Sequence, residues 1–169
     1  MAVLEIRKYP DPVLKKKSLP VVDINGTLQE LIDNMLETMH AAPGIGLAAP
    51  QVGKSKRLIV IDVSTSEESH PLIVLINPDI VQAAGRVVSE EGCLSVPGYT
   101  SSIAREERVC VRGLDRNGKP VEIEATGLLA RALQHEIDHL DGTLFIDRMS
   151  PIKREFFRKR YLRKLRQTA

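Results

Sequence analysis

The chain has 169 residues, 43% of them hydrophobic and 27% charged, which suits one compact soluble domain and is short for two. No apolar run approaches the roughly 20 residues that a membrane-spanning helix needs, the N-terminus lacks the apolar segment of a secretory signal, and two cysteines are too few for a disulfide framework. A reducing, cytoplasmic setting without membrane partners is therefore expected. The net charge of +2 is unevenly spread: residues 150–169 carry eight basic side chains and one acidic, the other 149 residues sixteen and twenty-one.

Along the chain, Tyr9-Pro10-Asp11-Pro12 reads as turn or extended backbone, because each proline biases the residue before it away from helix. Thr27 and Glu30 predict a capping box opening a helix to about Ala42, in which Leu28, Leu31, Ile32, Met35, Leu36 and Met39 share one stripe. Pro43-Gly44 stops it, and residues 44–51 form a loop of small residues. Strands are expected over residues 57–63, 72–77, 80–83 and 86–90. Residues 108–112 and 121–125 alternate polar and apolar around a turn containing Asn117-Gly118, the pattern of an antiparallel hairpin. Gly127 opens a second helix over about 128–140, closed by Asp141-Gly142. Ser150-Pro151 supply the N-cap and first-turn proline of a C-terminal helix.

The sharpest chemical signal is His135-Glu136-Ile137-Asp138-His139. On a helix, residues four apart lie one turn up the same face, so both imidazoles can reach a single metal ion. Glu136 is rotated about 100° from His135, which sets a carboxylate beside the ion, where it can move protons. A catalytic site needs a third protein ligand and an open position. No histidine follows His139, which leaves Asp141, Asp147 and residues upstream. Cys93 is the best of these, because Gly92 and Pro97-Gly98 bend the backbone around it, whereas Cys110 sits within an alternating strand as a packed small side chain. Two imidazoles and a thiolate suit zinc and ferrous iron alike. Strands in the middle and helices at both ends predict an α+β class: a single compact domain, with antiparallel-rich sheets around a central metal-binding helix. Residues 1–149 form the catalytic unit, and 150–169 a basic helical extension of the same domain.

Three segments, residues 44–51, 91–95 and 134–139, together resemble the peptide deformylases, whose motifs read GxGLAAxQ, EGCLS and QHExDH and stand here complete and in order. The resemblance implies metal-dependent hydrolysis of the N-formyl group from the formylmethionine of nascent polypeptides, with formate released. It implies Cys93, His135 and His139 as ligands of one divalent ion, Fe2+ as the native metal with Zn2+, Ni2+ or Co2+ as substitutes, and Glu136 as general acid/base acting on metal-activated water. Gln51, which the residues alone favour as a loop-capping glutamine, becomes an oxyanion donor together with the Leu94 N–H. Gly46 and Gly92 would contact the peptide. Ile45, Leu128, Leu129 and Ala132 would line the methionine pocket, with Arg131 standing where an apolar residue is common. An arginine that some members carry shortly after EGCLS has no counterpart in Pro97-Gly98-Tyr99-Thr100.

The basic tail reads in one way as a solvated helix, and in another as an exit-tunnel ribosome contact, as in some deformylases. Two other function classes remain open on the residues: an HExxH metallopeptidase cleaving internal bonds, and a non-catalytic metal-containing binding protein that works through its basic tail.

Overall fold

The alternating middle of the chain folds as antiparallel strands, which the two amphipathic helices cover from opposite sides. The structure, a computed structural model, describes residues 2–168. In chain order its main elements are α1 (Gly26–Ala41), β1 (Gly46–Ala48), β2 (Leu58–Ile61), β3 (Ile73–Ala84), β4 (Val87–Cys93), β5 (Val96–Arg105), β6 (Arg108–Leu114), β7 (Pro120–Thr126), α2 (Gly127–Leu140) and α3 (Pro151–Thr168). Five strands form one antiparallel sheet in the order β1-β2-β3-β6-β7, and β4-β5 form a separate hairpin. This is the expected α+β class, with antiparallel sheets around α2.

Strand β2 shows how the layers close. All four of its residues are buried, so it reads as a continuous apolar run. Its alternate side chains point to opposite faces. Ile59 and Ile61 join Leu133, Ile137 and Leu140 of α2, while Leu58 and Val60 meet Leu28, Ile32, Met35 and Met39 of α1. The last turn of α2 is held by donors from elsewhere in the chain. The Leu140 carbonyl accepts from the Ser18 amide (2.8 Å), the Ser18 hydroxyl (2.8 Å) and Arg57 (3.0 Å).

Several boundaries differ from the sequence reading. The first helix is capped by Asn25, whose side chain accepts from the Leu28 amide at 3.0 Å. Thr27 therefore lies inside the first turn, because an Asn two residues earlier already satisfies the free amide. The two strands expected over 72–77 and 80–83 are one strand beginning at Ile73, with register shifts between Ile76 and Asp79 and between Ile80 and Gln82. Asn77 adopts φ 52° there, a conformation asparagine tolerates, and its amide brackets Val21 through two hydrogen bonds. Strand β1 lies within the expected loop, and β5 was missed because its sequence, rich in Ser, Thr and Gly, carries little apolar alternation. The Asn117-Gly118 hairpin between β6 and β7 forms as expected, closed by the Asp115 carboxylate accepting from the Asn117 and Lys119 amides.

The C-terminal helix starts at the expected cap, where Ser150 Oγ accepts from the Lys153 amide at 3.3 Å. Its first three turns are tied down by aromatics: Phe157 lies 4.4 Å from Tyr99 and 5.8 Å from Tyr9 between ring centroids, and Tyr161 lies 5.6 Å from Tyr9. Ile152 and Phe156, on another side of the helix, are 72% and 66% exposed. Among the described residues, no helix is long and apolar enough to cross a membrane.

Candidate metal centre

Helix α2 presents His135 and His139 one turn apart, and the end of β4 brings Cys93 to them across the fold. Leu94 and Ser95 make the two-residue turn of the β4-β5 hairpin, so Cys93 sits at a bend that aims its thiol inward. Its Sγ is 3.4 Å from His139 Nε2, which is 3.3 Å from His135 Nε2, and the three donor atoms lie within 4.8 Å of one another. The other proposed third ligands lie elsewhere. Asp141 pairs with Arg57 at 3.0 Å, and Asp147 pairs with Lys15 while capping the Leu144 amide. Cys110 is buried in β6.

The surroundings suit a cation at the point where the donors meet. His135 Nδ1 lies 3.0 Å from Glu91 Oε1, the carboxylate–histidine arrangement that fixes which nitrogen faces a metal. Glu91 in turn accepts two hydrogen bonds from Arg105 (2.6 and 2.8 Å), and Arg105 also donates to Asp138 at 2.8 Å. Burial alone would raise the Glu91 carboxyl, but the hydrogen bonds from His135 and Arg105 outweigh it and hold the group at about 2. Burial also opposes charge on His135. The Cys93 and Glu91 hydrogen bonds and the Glu136 and Cys93 charges nevertheless lift it well above its ordinary value. His139 goes the other way, held neutral by burial and by the positive charges of His135 and Arg105, and a neutral imidazole is the ligand form. Three convergent N and S donors in a site that favours positive charge fit one divalent ion.

Beside them Glu136 is 5% exposed, and its Oε1 has no hydrogen-bond partner among the described residues. Burial pushes its carboxyl up to about 7 against the pull of His135 and Arg105. Gly46 makes room for it: a Cβ there would collide with the carboxylate, lying 2.9 Å from Cδ and 3.0 Å from Cγ. The carboxylate thus takes up the space that the absent side chain leaves. Gln51 is buried and does two things at once. Its Oε1 accepts from the Ala48 amide at 2.9 Å, as a loop cap would, while its Nε2 donates to Ser95 Oγ at 3.1 Å and faces Cys93 Sγ at 3.6 Å. The N-terminal segment pins both loops, through Arg7 N to Gln51 O (2.6 Å) and Tyr9 N to Ser95 O (2.8 Å).

These groups open into a cleft of about 560 Å³. Ile45, Gly46, Gly92, Leu94, Leu128 and Ala132 all border it, with Arg131 and Tyr99. Leu129 turns away into the core between α2 and the large sheet.

Residues 3–155 match the family model described as polypeptide deformylase. The chain belongs to the polypeptide deformylase family. It is 68% identical over 161 residues, 95% of this chain and 98% of the relative, to a peptide deformylase of Thermodesulfovibrio yellowstonii. Its fold is similar to a peptide deformylase from Legionella pneumophila (TM-score 0.91, 47% identity, 99% and 98% of the two chains). It is also similar to one from Ehrlichia chaffeensis in complex with actinonin (TM-score 0.90, 43% identity, 99% and 98%). The family resemblance drawn from three short motifs therefore extends over nearly the whole chain.

Sequence reasoning missed the support for this family site. Arg105, with a side chain only 1% exposed, joins Glu91 on β4 to Asp138 on α2. Gln134, also buried, clamps α2 to the chain after β5 through the Glu106 amide (3.0 Å) and carbonyl (2.9 Å). An arginine among alternating polar residues and a motif glutamine carry no local signal of such contacts.

Proposed function

We propose that this protein is a metal-dependent hydrolase that removes the formyl group from the N-terminal formylmethionine of nascent polypeptides and releases formate. The observation that carries the reading is a buried carboxyl, unshared at Oε1 and poised near neutrality, beside three convergent metal donors. Cys93, His135 and His139 would hold the ion. The chemistry such an ion supplies when bound is Lewis-acid activation of water and of a carbonyl oxygen. Glu136 takes a proton from the attacking water and delivers it to the nitrogen of the leaving peptide. Gln51 Nε2 and the Leu94 N–H donate to the oxygen on which negative charge develops. Gly46 and Gly92 let the peptide backbone approach, and Ile45, Leu128 and Ala132 receive the methionine side chain. Ferrous iron is the proposed native ion, with zinc, nickel or cobalt as substitutes.

The test is formate release from a formyl-Met-Ala-Ser peptide by protein purified without oxygen and supplied with ferrous iron. Formate is expected. Cleavage of internal bonds in acetylated peptides would instead indicate a metallopeptidase, and a metal-loaded protein without hydrolysis a binding protein. Gly46→Ala is expected to lower kcat about 100-fold, since a misplacement of the order of 1 Å costs that much, with metal content unchanged. An unaltered kcat would separate Gly46 from the placement of Glu136.

Residues 1–149 are proposed as the catalytic unit and 150–169 as its extension, working in the bacterial cytoplasm. The basic end of α3 is proposed to dock on the ribosome. Binding to ribosomes is then expected to fall steeply with added salt, as phosphate contacts do. It should weaken on deleting residues 162–169, a cut that removes three of the eight basic side chains and spares Phe157 and Tyr161. Binding insensitive to salt, or unchanged by that deletion, would remove the docking role.

A further inference from the structure

Arg131 borders the catalytic cleft, half-buried on α2. It lies three residues after Leu128 and four before His135, so all three share one face of the helix. Among the described residues it is the only lysine or arginine on the cleft wall, and it has no hydrogen-bond or ion-pair partner there. The neighbouring carboxylates are engaged elsewhere. Glu91 is bound by Arg105 and His135, and Glu90 accepts from Thr100 at 2.6 Å. The positive charges acting most on Glu136 are those of His135 and Arg105.

A guanidinium partly withdrawn from water and left without a counter-charge is destabilised, and an arriving anion relieves that cost. The side chains around it on the apolar wall, Ile45 and Leu128, are each 43% exposed and carry no polar group. A peptide whose methionine lies among them therefore meets, on that wall, a positive charge that no carboxylate compensates. Glu90, on β4, is the exposed carboxylate that opposes it.

We infer that Arg131 is a specificity-determining residue that receives an acidic side chain from one of the two residues following the formylmethionine, so that peptides acidic there are favoured over basic ones. The inference rests on the deformylation reading and assigns its substrate preference to one side chain.

The experiment uses the metal-loaded full chain and C-terminally amidated formyl-Met-X-Ala and formyl-Met-Ala-X peptides, with X as Asp, Ala or Lys, so that X carries the peptide's only charge. Wild type is expected to favour Asp over Lys at one position by roughly 5- to 20-fold in kcat/KM, between the strengths of an exposed and a partly buried ion pair. Added salt should shrink the ratio. Arg131→Lys is expected to keep the preference, Arg131→Leu to bring it near unity, and Arg131→Glu to reverse it. Equal ratios in wild type and Arg131→Leu would overturn the assignment, as would a preference lost only in Glu90→Gln. Absence of formate from every peptide, including X = Ala with wild type, would instead sink the deformylation reading and this inference with it.

Discussion

Glu136→Gln is expected to reduce formate release by roughly 100- to 10,000-fold, the usual contribution of a positioned proton-transfer group, while the metal stays bound. The amide keeps the shape of the side chain and so fills the space opposite Gly46, but it cannot accept and return a proton. Because Glu136 lies beside the three donors and is not one of them, metal content measured by elemental analysis should remain near one ion per chain. Thermal stability should hold or rise, since burial already disfavours the charged carboxylate. Cys93→Ser provides the contrast: it should lose activity and metal together, because a hydroxyl is a poor replacement for a thiolate. A Glu136→Gln protein that turns over at the wild-type rate would remove the general acid/base from the mechanism. One that loses its metal would show that the carboxyl belongs to the coordination shell.

The second large effect is on stability. Arg105→Leu is expected to destabilise the protein by about 3–5 kcal/mol, the range for removing one partner of a buried charge network. The side chain is 1% exposed and stands between Glu91 and Asp138 at 2.6 and 2.8 Å, so its loss leaves Glu91 with His135 alone while Asp138 keeps the more exposed Arg148. Glu91 also orients His135, and metal affinity should fall by about 10- to 100-fold, as for other partners that orient a ligand. The pH dependence has a definite sign. Glu91 titrates at about 2 in the folded chain, below an ordinary carboxyl, so it stabilises the fold above the ordinary carboxylate range and loses that contribution as pH falls toward 2. Without Arg105 the folded value rises, and acid unfolding of the metal-free protein should begin at higher pH. Urea titrations of the metal-free wild type, Arg105→Leu and Arg105→Leu/Glu91→Gln at pH 7 and pH 4 measure this. The double variant is expected to recover part of the loss, because it removes the stranded charge. An unchanged urea midpoint in Arg105→Leu would show that the network contributes nothing to the fold.

Local pattern was enough for the parts of this protein that repeat within a turn or a strand. The spacing of His135 and His139 already implied one face of one helix, and the apolar stripe of α1 and the Asn117-Gly118 turn could be read the same way. Such signals involve residues a few positions apart, where backbone geometry alone sets who meets whom. The cap of α1 shows where this fails even locally, since Asn25 and Thr27 are both competent caps and the helix begins at the one that reaches a free amide first.

What the sequence by itself determined was the chemistry: the two histidines with the carboxyl between them, the cysteine as the best third donor, the α+β class and the basic tail. Only the tertiary structure decided how those groups are made to act together. Cys93 meets His139 because the β4-β5 hairpin folds back onto α2, and Glu91 and Arg105 reach His135 through the same closure. Gly46 proved to be shaped around Glu136, and Gln51 proved to cap its loop and face the cysteine at once. Among the described residues, the Arg131 side chain was left without a partner on the cleft wall. Each of these depends on contacts between residues far apart in the chain. Their side chains bear no local mark of the pairing, because burial and charge compensation are properties of the assembled layers.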